Sequence, residues 1–307
     1  SLVHAYELLM KKYRPDLVLT YTIKPNVYGG FVCRRMGIPY LPTITGLGST
    51  FQKSGPLLFL VERMYYEGLK KASCVFFQNE ENRQIFRRGG LVSGRDRLVP
   101  GSGVNTKVWQ AMPYPKDEVT NFLFVGRVMK EKGIEEFFRA AEVLHSEKVL
   151  FSICGYCDED YQEELDERAS RGEILQLGFH PDMHEFYRDC SAVVMPTWHE
   201  GMSNVLMEAS ACARPVIASN ISGCREIFED GVTGYGFAPH SPEELIRTLR
   251  HFLTLDRSQR AAMGEAARQK MIEEFDREKV AAAYLEEIHA AMEEPKEDGG
   301  KKGNSET

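Results

Sequence analysis

The sequence lacks a concentrated basic region, which is typical of nucleic-acid-binding proteins, and it lacks an apolar run long enough to cross a membrane. The net charge is −7 and basic residues are not concentrated in any one part, so a general affinity for nucleic acid is not expected. The longest apolar run, residues 56–61, is far too short to span a bilayer and is followed at once by Glu62 and Arg63. The composition, 43% hydrophobic and 27% charged, is that of an ordinary soluble protein, and 307 residues are enough for two domains.

The cysteines lack the pattern of a disulfide framework. Seven of them are scattered among apolar segments, and this odd number indicates reduced thiols in a cytosolic protein. Cys154 and Cys157 have the spacing of a redox motif, but they follow an apparent core strand, and no second pair lies at the spacing of zinc ligands. We therefore predict structural thiols, with no metal and no cofactor.

Short apolar runs alternate with helical periodicity along the chain. The runs are continuously apolar, which is typical of parallel sheets covered by helices on both faces. Predicted strands cover residues 17–20, 40–44, 74–78, 97–99, 122–125, 150–154, 174–177, 192–195 and 215–219, and helices lie near residues 2–13, 27–36, 57–72, 80–88 and 277–292. We predict an α/β protein with two doubly wound, Rossmann-like domains that face each other across a cleft.

The pattern of strands and helices is interrupted between residues 101 and 116, where Gly, Pro and Trp109 mark a domain boundary. We predict a first domain at 1–107, a linker at 108–116, a second domain at 117–274, a helix at 275–292 that packs back on the first domain, and a disordered tail at 293–307. Ligands of such sheets bind at the carboxyl ends of the strands, so the chemistry is expected in the loops that follow them.

The loop after residues 122–125 has the side chains of an anion site. Gly126 and Gly133 allow the backbone to come close to a ligand. The planar guanidinium of Arg127 and the ammonium group of Lys132 are suited to gripping a diphosphate. Cations in a surface loop are more often a solvated face, so this loop does not decide the function by itself.

A second loop, after residues 192–195, places two carboxylates around the start of a helix. Ser203 or Asn204 can cap this helix, whose amide groups and dipole then favour an anion. Glu200 precedes the helix and Glu208 lies about one turn inside it, so the two can accept hydrogen bonds from different hydroxyls of one ligand. The alternative is a pair of surface acids, which are favoured near any helix start.

The two loops together carry a resemblance to a known family. They read Gly-Arg-x4-Lys-Gly from residue 126 and Glu-Gly-x-x-Asn-Val-x-x-Glu from residue 200. This combination resembles the donor site of family 4 retaining glycosyltransferases of the GT-B fold, and order, spacing and context agree over nearly the whole chain. Residues 22–26 and 45–49 look like those of bacterial enzymes that add N-acetylgalactosamine or a related hexose to undecaprenyl-diphosphate-linked sugars.

The resemblance implies the transfer of a hexose or N-acetylhexosamine from a nucleotide sugar, with UDP expected, to a lipid-linked or polysaccharide acceptor. Transfer would retain the anomeric configuration and need no metal. Arg127 and Lys132 would hold the diphosphate, Glu200 the sugar and Glu208 the ribose hydroxyls, with the base near Gly155 and Gly178. The full set of implied donor-binding residues is Gly126, Gly155, Gly178, Gly201, Met202, Ser203, Asn204, Val205 and Glu208.

On the acceptor side the resemblance implies four residues. Lys24 and Asn26 lie in a loop where relatives often carry a catalytic histidine, and Lys24 stands in its place. Gly46 and Gly48 form a partial glycine motif, which is a weak signal by itself.

The sequence also departs from the family pattern. Cys212-Ala213-Arg214 replaces the small-Gly-x that commonly precedes Pro-Val-Ile, and residues 235–237 replace a Leu-rich strand; both changes are expected to be structural. By the same resemblance, about three opening strands of the first domain would be missing. The chain as it stands is therefore expected to be inactive while still binding a uridine nucleotide.

The expected setting is the cytoplasm, with peripheral contact at the inner face of the membrane. The helix near residues 57–71 combines an apolar face with Arg63, Lys70 and Lys71, which would suit anionic lipid. A half-buried helix of the first domain explains the same pattern equally well. Two other functions stay open: a sugar-nucleotide 2-epimerase of the same architecture, and a fragment that binds nucleotide without turnover.

Overall fold

The computed structural model describes residues 1–47, 55–116, 118–158 and 160–293. These residues form two compact units, one from Ser1–Leu98 with the residues from Ala282 onward, the other from Val99–Ala281. Gly48 lies outside the described residues, as do residues 294–307 of the predicted tail. Within the described ranges we find no helix whose length and hydrophobicity would let it span a bilayer.

The described part of the first unit contains a parallel sheet of four strands in the order β1-β2-β3-β4. All residues of β2 and β3 are buried, as the continuous apolar runs predict. The strands are β1 (Val18–Tyr21), β2 (Tyr40–Ile44), β3 (Val75–Phe77) and β4 (Asp96–Leu98). The helices are α1 (Leu2–Tyr13), a π-helical segment (Pro25–Gly29), α2 (Gly30–Met36), α3 (Pro56–Leu69) and α4 (Glu80–Arg88).

The chain re-enters the first unit in its last helix, α11 (Arg277–Glu293), from Ala282 onward. Tyr284 stacks on Phe76 of β3 with ring centroids 4.0 Å apart, and its hydroxyl lies 2.6 Å from Oγ1 of Thr43. One turn later Glu287 accepts a hydrogen bond of 2.7 Å from Arg95. An aromatic contact and an ion pair therefore fix this helix on the sheet of the first unit.

The second unit contains, among its described residues, a parallel sheet in the order β10-β9-β8-β5-β6-β7. Its strands are β5 (Thr120–Val125), β6 (Val149–Cys154), β7 (Leu175–Gly178), β8 (Ala192–Met195), β9 (Val216–Ser219) and β10 (Gly234–Phe237). The order is that of a doubly wound dinucleotide-binding sheet, in which the strand order reverses between the first and fourth strands, here β5 and β8.

Helices cover both faces of this second sheet. They are α5 (Ile134–Leu144), α6 (Gln162–Ser170), α7 (His184–Asp189), α8 (Asn204–Ala211), α9 (Pro242–Thr254) and α10 (Arg257–Glu274). On one face Phe122, Phe137 and Phe151 form the centre of a buried cluster. The opposite face is covered by α7, α8 and α10, which bury residues such as Tyr187 and Leu206.

The predicted α/β architecture is confirmed, and all nine predicted strands are present with ends shifted by two residues at most. The helix predicted at 27–36 is divided into the π-helical segment and α2. β10 forms at Gly234–Phe237, where the sequence departs from a Leu-rich strand. Because β10 lies at the edge of the sheet, it pairs with β9 alone and tolerates its two glycines.

Candidate active site at the β5–β8 junction

The loops after β5 and β8 meet where the strand order of the second sheet reverses. After β5 the chain makes a short 3₁₀ turn, Lys130–Lys132, and leaves it through Gly133 at φ 75°. A Cβ atom at Gly133 would lie 2.0 Å from the carbonyl oxygen of Pro196, just past β8. Glycine is therefore required here both for the left-handed conformation and for the contact between the loops.

Hydrogen bonds fix the two loops in this arrangement. The carbonyl oxygen of Glu131 accepts from the amide of Trp198 at 3.0 Å and from the hydroxyl of Thr197 at 3.3 Å. The indole of Trp198 donates to Glu136 at the start of α5, at 2.9 Å. Both loops thus belong to one rigid framework at the carboxyl ends of neighbouring strands.

This framework brings together two of the predicted catalytic residues. Nζ of Lys132 donates to Oε1 of Glu200, and both side chains are mostly shielded from solvent. The sequence places these residues 68 positions apart, on different loops. A charged pair so shielded interacts more strongly than a surface pair, because less water screens it.

Arg127 lies at the end of β5 but points to a different carboxylate. Its Nη1 donates to Oδ2 of Asp158 at 2.6 Å, and both side chains are partly exposed. A Cβ atom at Gly155, after β6, would lie 1.8 Å from the carbonyl oxygen of Gly126. The backbones after β5 and β6 therefore touch, with the cation of Arg127 beside them.

The start of α8 completes this end of the sheet. Ser203 is its N-cap residue, and the Ser203 hydroxyl accepts a hydrogen bond of 3.3 Å from the amide of Leu206. Its own amide donates to the carbonyl of Gly223 at 2.9 Å, which ties the loop before α8 to the loop after β9. Asn204, the first helical residue, is exposed. Its amide belongs to the first turn, which has no acceptor within the helix and suits an anion.

The remaining residues of this loop form the wall of the site. Gly201 is half-buried between Glu200 and Met202. The side chains of Met202 and Val205 pack against the buried cluster beneath α8. They offer apolar surface rather than polar contacts.

Glu208 sits deeper, on the face of α8 that meets α7. Its Oε2 accepts a hydrogen bond of 3.3 Å from the hydroxyl of Tyr187. Burial raises the pKa of the Glu208 carboxyl, while the Tyr187 hydrogen bond and the nearby His184 act in the opposite direction. No local spacing in the sequence marks Tyr187 or Asp158 as a partner of the site, because both residues come from other elements.

Gly155 and Gly178 line a cavity of about 260 Å³ at the ends of β6 and β7. Tyr156, Cys157 and Phe179 also line it. The rings of Tyr156 and Phe179 meet edge to face with centroids 6.1 Å apart, and both are substantially exposed. Flat, exposed rings beside an open cavity offer a surface on which a planar group can stack.

The residues predicted for the acceptor side belong to the first unit. Lys24 is exposed and precedes the π-helical segment. Asn26 is completely buried, and its side-chain amide donates to the carbonyl of Thr43 at 2.7 Å. Gly46 is half-buried. The structure thus presents Lys24 to solvent and uses Asn26 as a tie to β2.

Among the described residues no group of three or more His, Cys, Asp and Glu side chains is arranged to hold a metal ion. The polar groups that the β5–β8 junction brings together are the Lys132 ammonium, the Glu200 carboxylate and the backbone amides of the first turn of α8. Such a set can bind an anionic phosphate and polar hydroxyl groups side by side.

The sequence is similar to several named glycosyltransferases. It is 24% identical over 296 residues to N,N'-diacetylbacillosaminyl-diphospho-undecaprenol alpha-1,3-N-acetylgalactosaminyltransferase of Campylobacter jejuni, covering 90% of this chain and 77% of that enzyme. It is 28% identical over 182 residues to the D-inositol 3-phosphate glycosyltransferase of Paenarthrobacter aurescens, covering 56% of this chain. The chain spans 44% of the Paenarthrobacter enzyme and 53% of a Mycobacterium tuberculosis glycogen synthase, about half of their length.

Solved structures agree with the fold. Sucrose-phosphate synthase from Thermosynechococcus elongatus superposes with a TM-score of 0.79 at 22% identity, covering 94% of this chain and 78% of that one. Anabaena HepE in complex with UDP gives 0.79 at 20% identity, covering 94% and 82%. At these identities the likeness concerns the fold, which is the GT-B fold of glycosyltransferases, as the resemblance implied.

Two family models match the chain, and both describe glycosyltransferases. "Glycosyl transferase 4-like" matches residues 2–79, and "Glycosyl transferases group 1" matches residues 110–270, more than half of the chain. Neither match favours a sugar-nucleotide epimerase. The second match includes Arg127, Lys132, Glu200 and Glu208, and the protein belongs to the group 1 glycosyl transferases.

Proposed function

We propose that this glycosyltransferase moves a hexose or N-acetylhexosamine from a UDP-sugar to a lipid-linked or polysaccharide acceptor, with retention and without a metal. The observation that carries the proposal is the contact of Lys132 with Glu200 at the β5–β8 junction, beside the first turn of α8. One cation, one carboxylate and a helix N-terminus converge at a site where doubly wound sheets bind nucleotides.

The diphosphate of the donor would lie between Arg127, Lys132 and the amides at the start of α8. Arg127 and Lys132 would neutralise the charge that develops on the departing nucleotide, which is the role a divalent ion has in metal-dependent transferases. At Gly126 the position of a Cβ atom has no neighbour closer than 3.8 Å, so a phosphate oxygen would approach the backbone there without a side chain in its way.

The two carboxylates would divide the rest of the donor between them. Glu200, oriented by Lys132, would accept hydrogen bonds from the sugar hydroxyls. Glu208 would accept from the ribose hydroxyls, and the base would lie near Gly155 and Gly178. The acceptor hydroxyl would attack from the side of the leaving phosphate, and a phosphate oxygen would take its proton, so the anomeric configuration is kept.

The choice of donor and acceptor rests on the relatives. The name of the Campylobacter enzyme specifies an undecaprenol-diphosphate-linked sugar as acceptor and N-acetylgalactosamine as the group transferred. HepE has been crystallised with UDP and with UDP-glucose. We extend both features to this chain and place its work in polysaccharide or cell-envelope synthesis. Lys24, Gly46 and Gly48 remain the residues proposed for contact with the acceptor, and the buried Asn26 would support this side through its hydrogen bond to β2.

A lipid-linked acceptor implies work at a membrane surface, and α3 offers a contact for it. Leu57, Phe59 and Leu60 at the start of α3 are 58%, 73% and 54% exposed, and Arg63 follows one turn later. Large apolar side chains next to a cation suit the boundary of an anionic bilayer. Phe59→Glu should reduce sedimentation with phosphatidylglycerol vesicles, whereas Val232→Glu, at an exposed apolar residue of the second unit, should leave it unchanged.

The direct test offers the protein a panel of UDP-hexoses and UDP-N-acetylhexosamines with an undecaprenyl-diphosphate-linked acceptor, with and without EDTA. Transfer by this chain would overturn the expectation that it is inactive as it stands. Any product formed should appear equally in EDTA and be α-linked from the α-linked donor, read from the anomeric coupling by NMR. A β-linked product would overturn retention, and loss of activity that Mg²⁺ or Mn²⁺ restores would overturn the metal-free mechanism. Conversion of the UDP-sugar to its C2 epimer without acceptor would identify an epimerase instead.

Nucleotide binding tests the residue assignments independently of the acceptor. Glu208→Ala should weaken UDP binding, and Glu200→Ala should leave it nearly unchanged, because UDP has a ribose and no hexose. Equal losses in calorimetry would contradict this division of roles. UDP binding without any transfer would point to the alternative of a nucleotide-binding fragment.

A further inference from the structure

The carboxylate of Glu208 does not stand alone: it faces a buried aromatic cluster on α7. Tyr187 is 0% exposed, and its hydroxyl donates to Oε2 of Glu208 at 3.3 Å. Burial raises the pKa of the Tyr187 phenol well above its ordinary value, so the hydroxyl keeps its proton and remains a donor.

The ring of Tyr187 is held from several sides. Trp109 meets it edge to face with centroids 5.6 Å apart, and the other side of Trp109 stacks on His184 at 4.3 Å. The main chain is fixed as well, because Nε of the buried Arg214 donates to the carbonyl of Tyr187 at 2.6 Å. Tyr187 therefore cannot swing away from Glu208 without disturbing its neighbours on three elements.

We propose that Tyr187 is a positioning residue of the nucleoside subsite, whose hydroxyl holds the Glu208 carboxylate ready to accept the ribose hydroxyls of the donor. This inference rests on the proposed role of Glu208. A carboxylate fixed by one donor loses less freedom when it takes up a ligand than a carboxylate that rotates freely.

Tyr187 also favours the charged form of Glu208, which is the form that accepts hydrogen bonds from hydroxyls. Burial raises the pKa of Glu208, and both the Tyr187 hydrogen bond and the charge of His184 lower it. The titratable groups that face Glu208 are Tyr187 and His184 on α7 and Cys212 at the end of its own helix. Asp182 bonds to His184 and raises the pKa of that imidazole, so His184 stays protonated to higher pH than usual.

The experiment uses the full chain and UDP as the probe. Tyr187→Phe keeps the ring and removes the donor, and we expect the Kd for UDP to rise roughly five- to tenfold, the size of effect that one ordinary hydrogen bond has, because the variant loses the orientation of Glu208 and not a contact with the ligand itself. Tyr114→Phe is the matched control, because Tyr114 is also buried and its hydroxyl donates to the carbonyl of Ser191 at 2.9 Å, away from Glu208. Thermal unfolding should show similar losses for both variants, with UDP affinity changed in Tyr187→Phe alone.

Two readouts separate positioning from mere support of the fold. In the Glu208→Gln background, Tyr187→Phe should have little further effect on UDP affinity, because the carboxylate it orients is gone. In the unaltered background, affinity for UDP-glucose, whose diphosphate diester does not titrate near neutrality, should fall as the pH drops through the pKa of Glu208. Tyr187→Phe raises that pKa, so the fall should begin at higher pH.

The outcomes distinguish this inference from the proposed function. If Glu208→Gln leaves UDP affinity unchanged, the proposed ribose contact is wrong. If Glu208→Gln weakens UDP but Tyr187→Phe does not, the positioning role alone is overturned. The positioning role would also be overturned if Tyr187→Phe changed UDP affinity equally in the unaltered and Glu208→Gln backgrounds, or if it left the pH dependence of UDP-glucose affinity unshifted. Tyr187 would then have a structural role only.

Discussion

Replacing Gly133 with alanine tests the contact between the loops after β5 and β8. The new Cβ would lie 2.0 Å from the carbonyl oxygen and 2.5 Å from the carbonyl carbon of Pro196. Contacts below 3.0 Å do not occur for Cβ atoms, so the loops must separate by about 1 Å. The residue also has φ 75°, which disfavours alanine by about 1–2 kcal/mol. Overpacking adds about 1–3 kcal/mol, so we expect a total loss of about 2–5 kcal/mol.

Gly172 provides a control for the backbone term alone. Its φ is 74°, and nothing lies within 4 Å of the position of its Cβ. Gly172→Ala should therefore lower the free energy of unfolding by about 1–2 kcal/mol, without the overpacking term. It should not affect UDP binding, because Gly172 ends the exposed turn after α6.

Urea unfolding and calorimetry with UDP measure the two effects of Gly133→Ala. Lys132 is the neighbouring residue, and moving its ammonium group by about 1 Å should remove one charged hydrogen bond to the diphosphate. Such a bond contributes about 1.5–3 kcal/mol, so UDP affinity should fall at least about tenfold. If Gly133→Ala matched Gly172→Ala in both stability and affinity, the close approach of the loops would have no role in the site.

Three further changes test other parts of the structure. Arg127→Ala should weaken UDP binding about tenfold or more in calorimetry, and an affinity within twofold of the unaltered protein would exclude the proposed diphosphate contact. Ala213→Gly should raise the free energy of unfolding by about 0.5–1 kcal/mol, because Ala213 has φ 58°, a conformation that glycine adopts without strain. A lower stability would mean that the packing of the Ala213 methyl group contributes more than its backbone strain costs. Tyr284→Phe should lower stability by about 1 kcal/mol in urea unfolding through loss of the Thr43 hydrogen bond, and an unchanged value would contradict that contact.

The strands and their order along the chain follow from local sequence. Runs such as residues 40–44 and 192–195 are apolar without alternation, and this pattern requires a sheet buried on both faces. The loops that follow β5 and β8 could be identified for the same reason, because parallel strands gather their carboxyl ends at one edge. The sequence alone also identifies the glycines, the lysine and the glutamate at fixed positions in those loops, such as Gly133, Lys132 and Glu200.

The departure at residues 212–214 from the family pattern was predicted to be structural, and its physical role became visible in the fold. Ala213 adopts the left-handed conformation that a glycine usually takes. Arg214 is completely buried, and its guanidinium donates to main-chain carbonyls that include those of Met112, Pro113 and Tyr187. No carboxylate marks this site in the sequence, because the acceptors are backbone oxygens from three separate segments.

Only the tertiary structure decided which charged groups meet. The sequence assigned Arg127 and Lys132 to one diphosphate without indicating their protein partners; in the fold Lys132 pairs with Glu200 and Arg127 with Asp158. Glu208 accepts a hydrogen bond from Tyr187, which lies on another helix. Asn26 is buried and donates a hydrogen bond to the carbonyl of Thr43 in β2. Local patterns fix which residues lie at the end of a strand, because they depend on neighbours along the chain. The partner of each side chain depends on which strands lie side by side, and that order is set by the packing of the whole sheet.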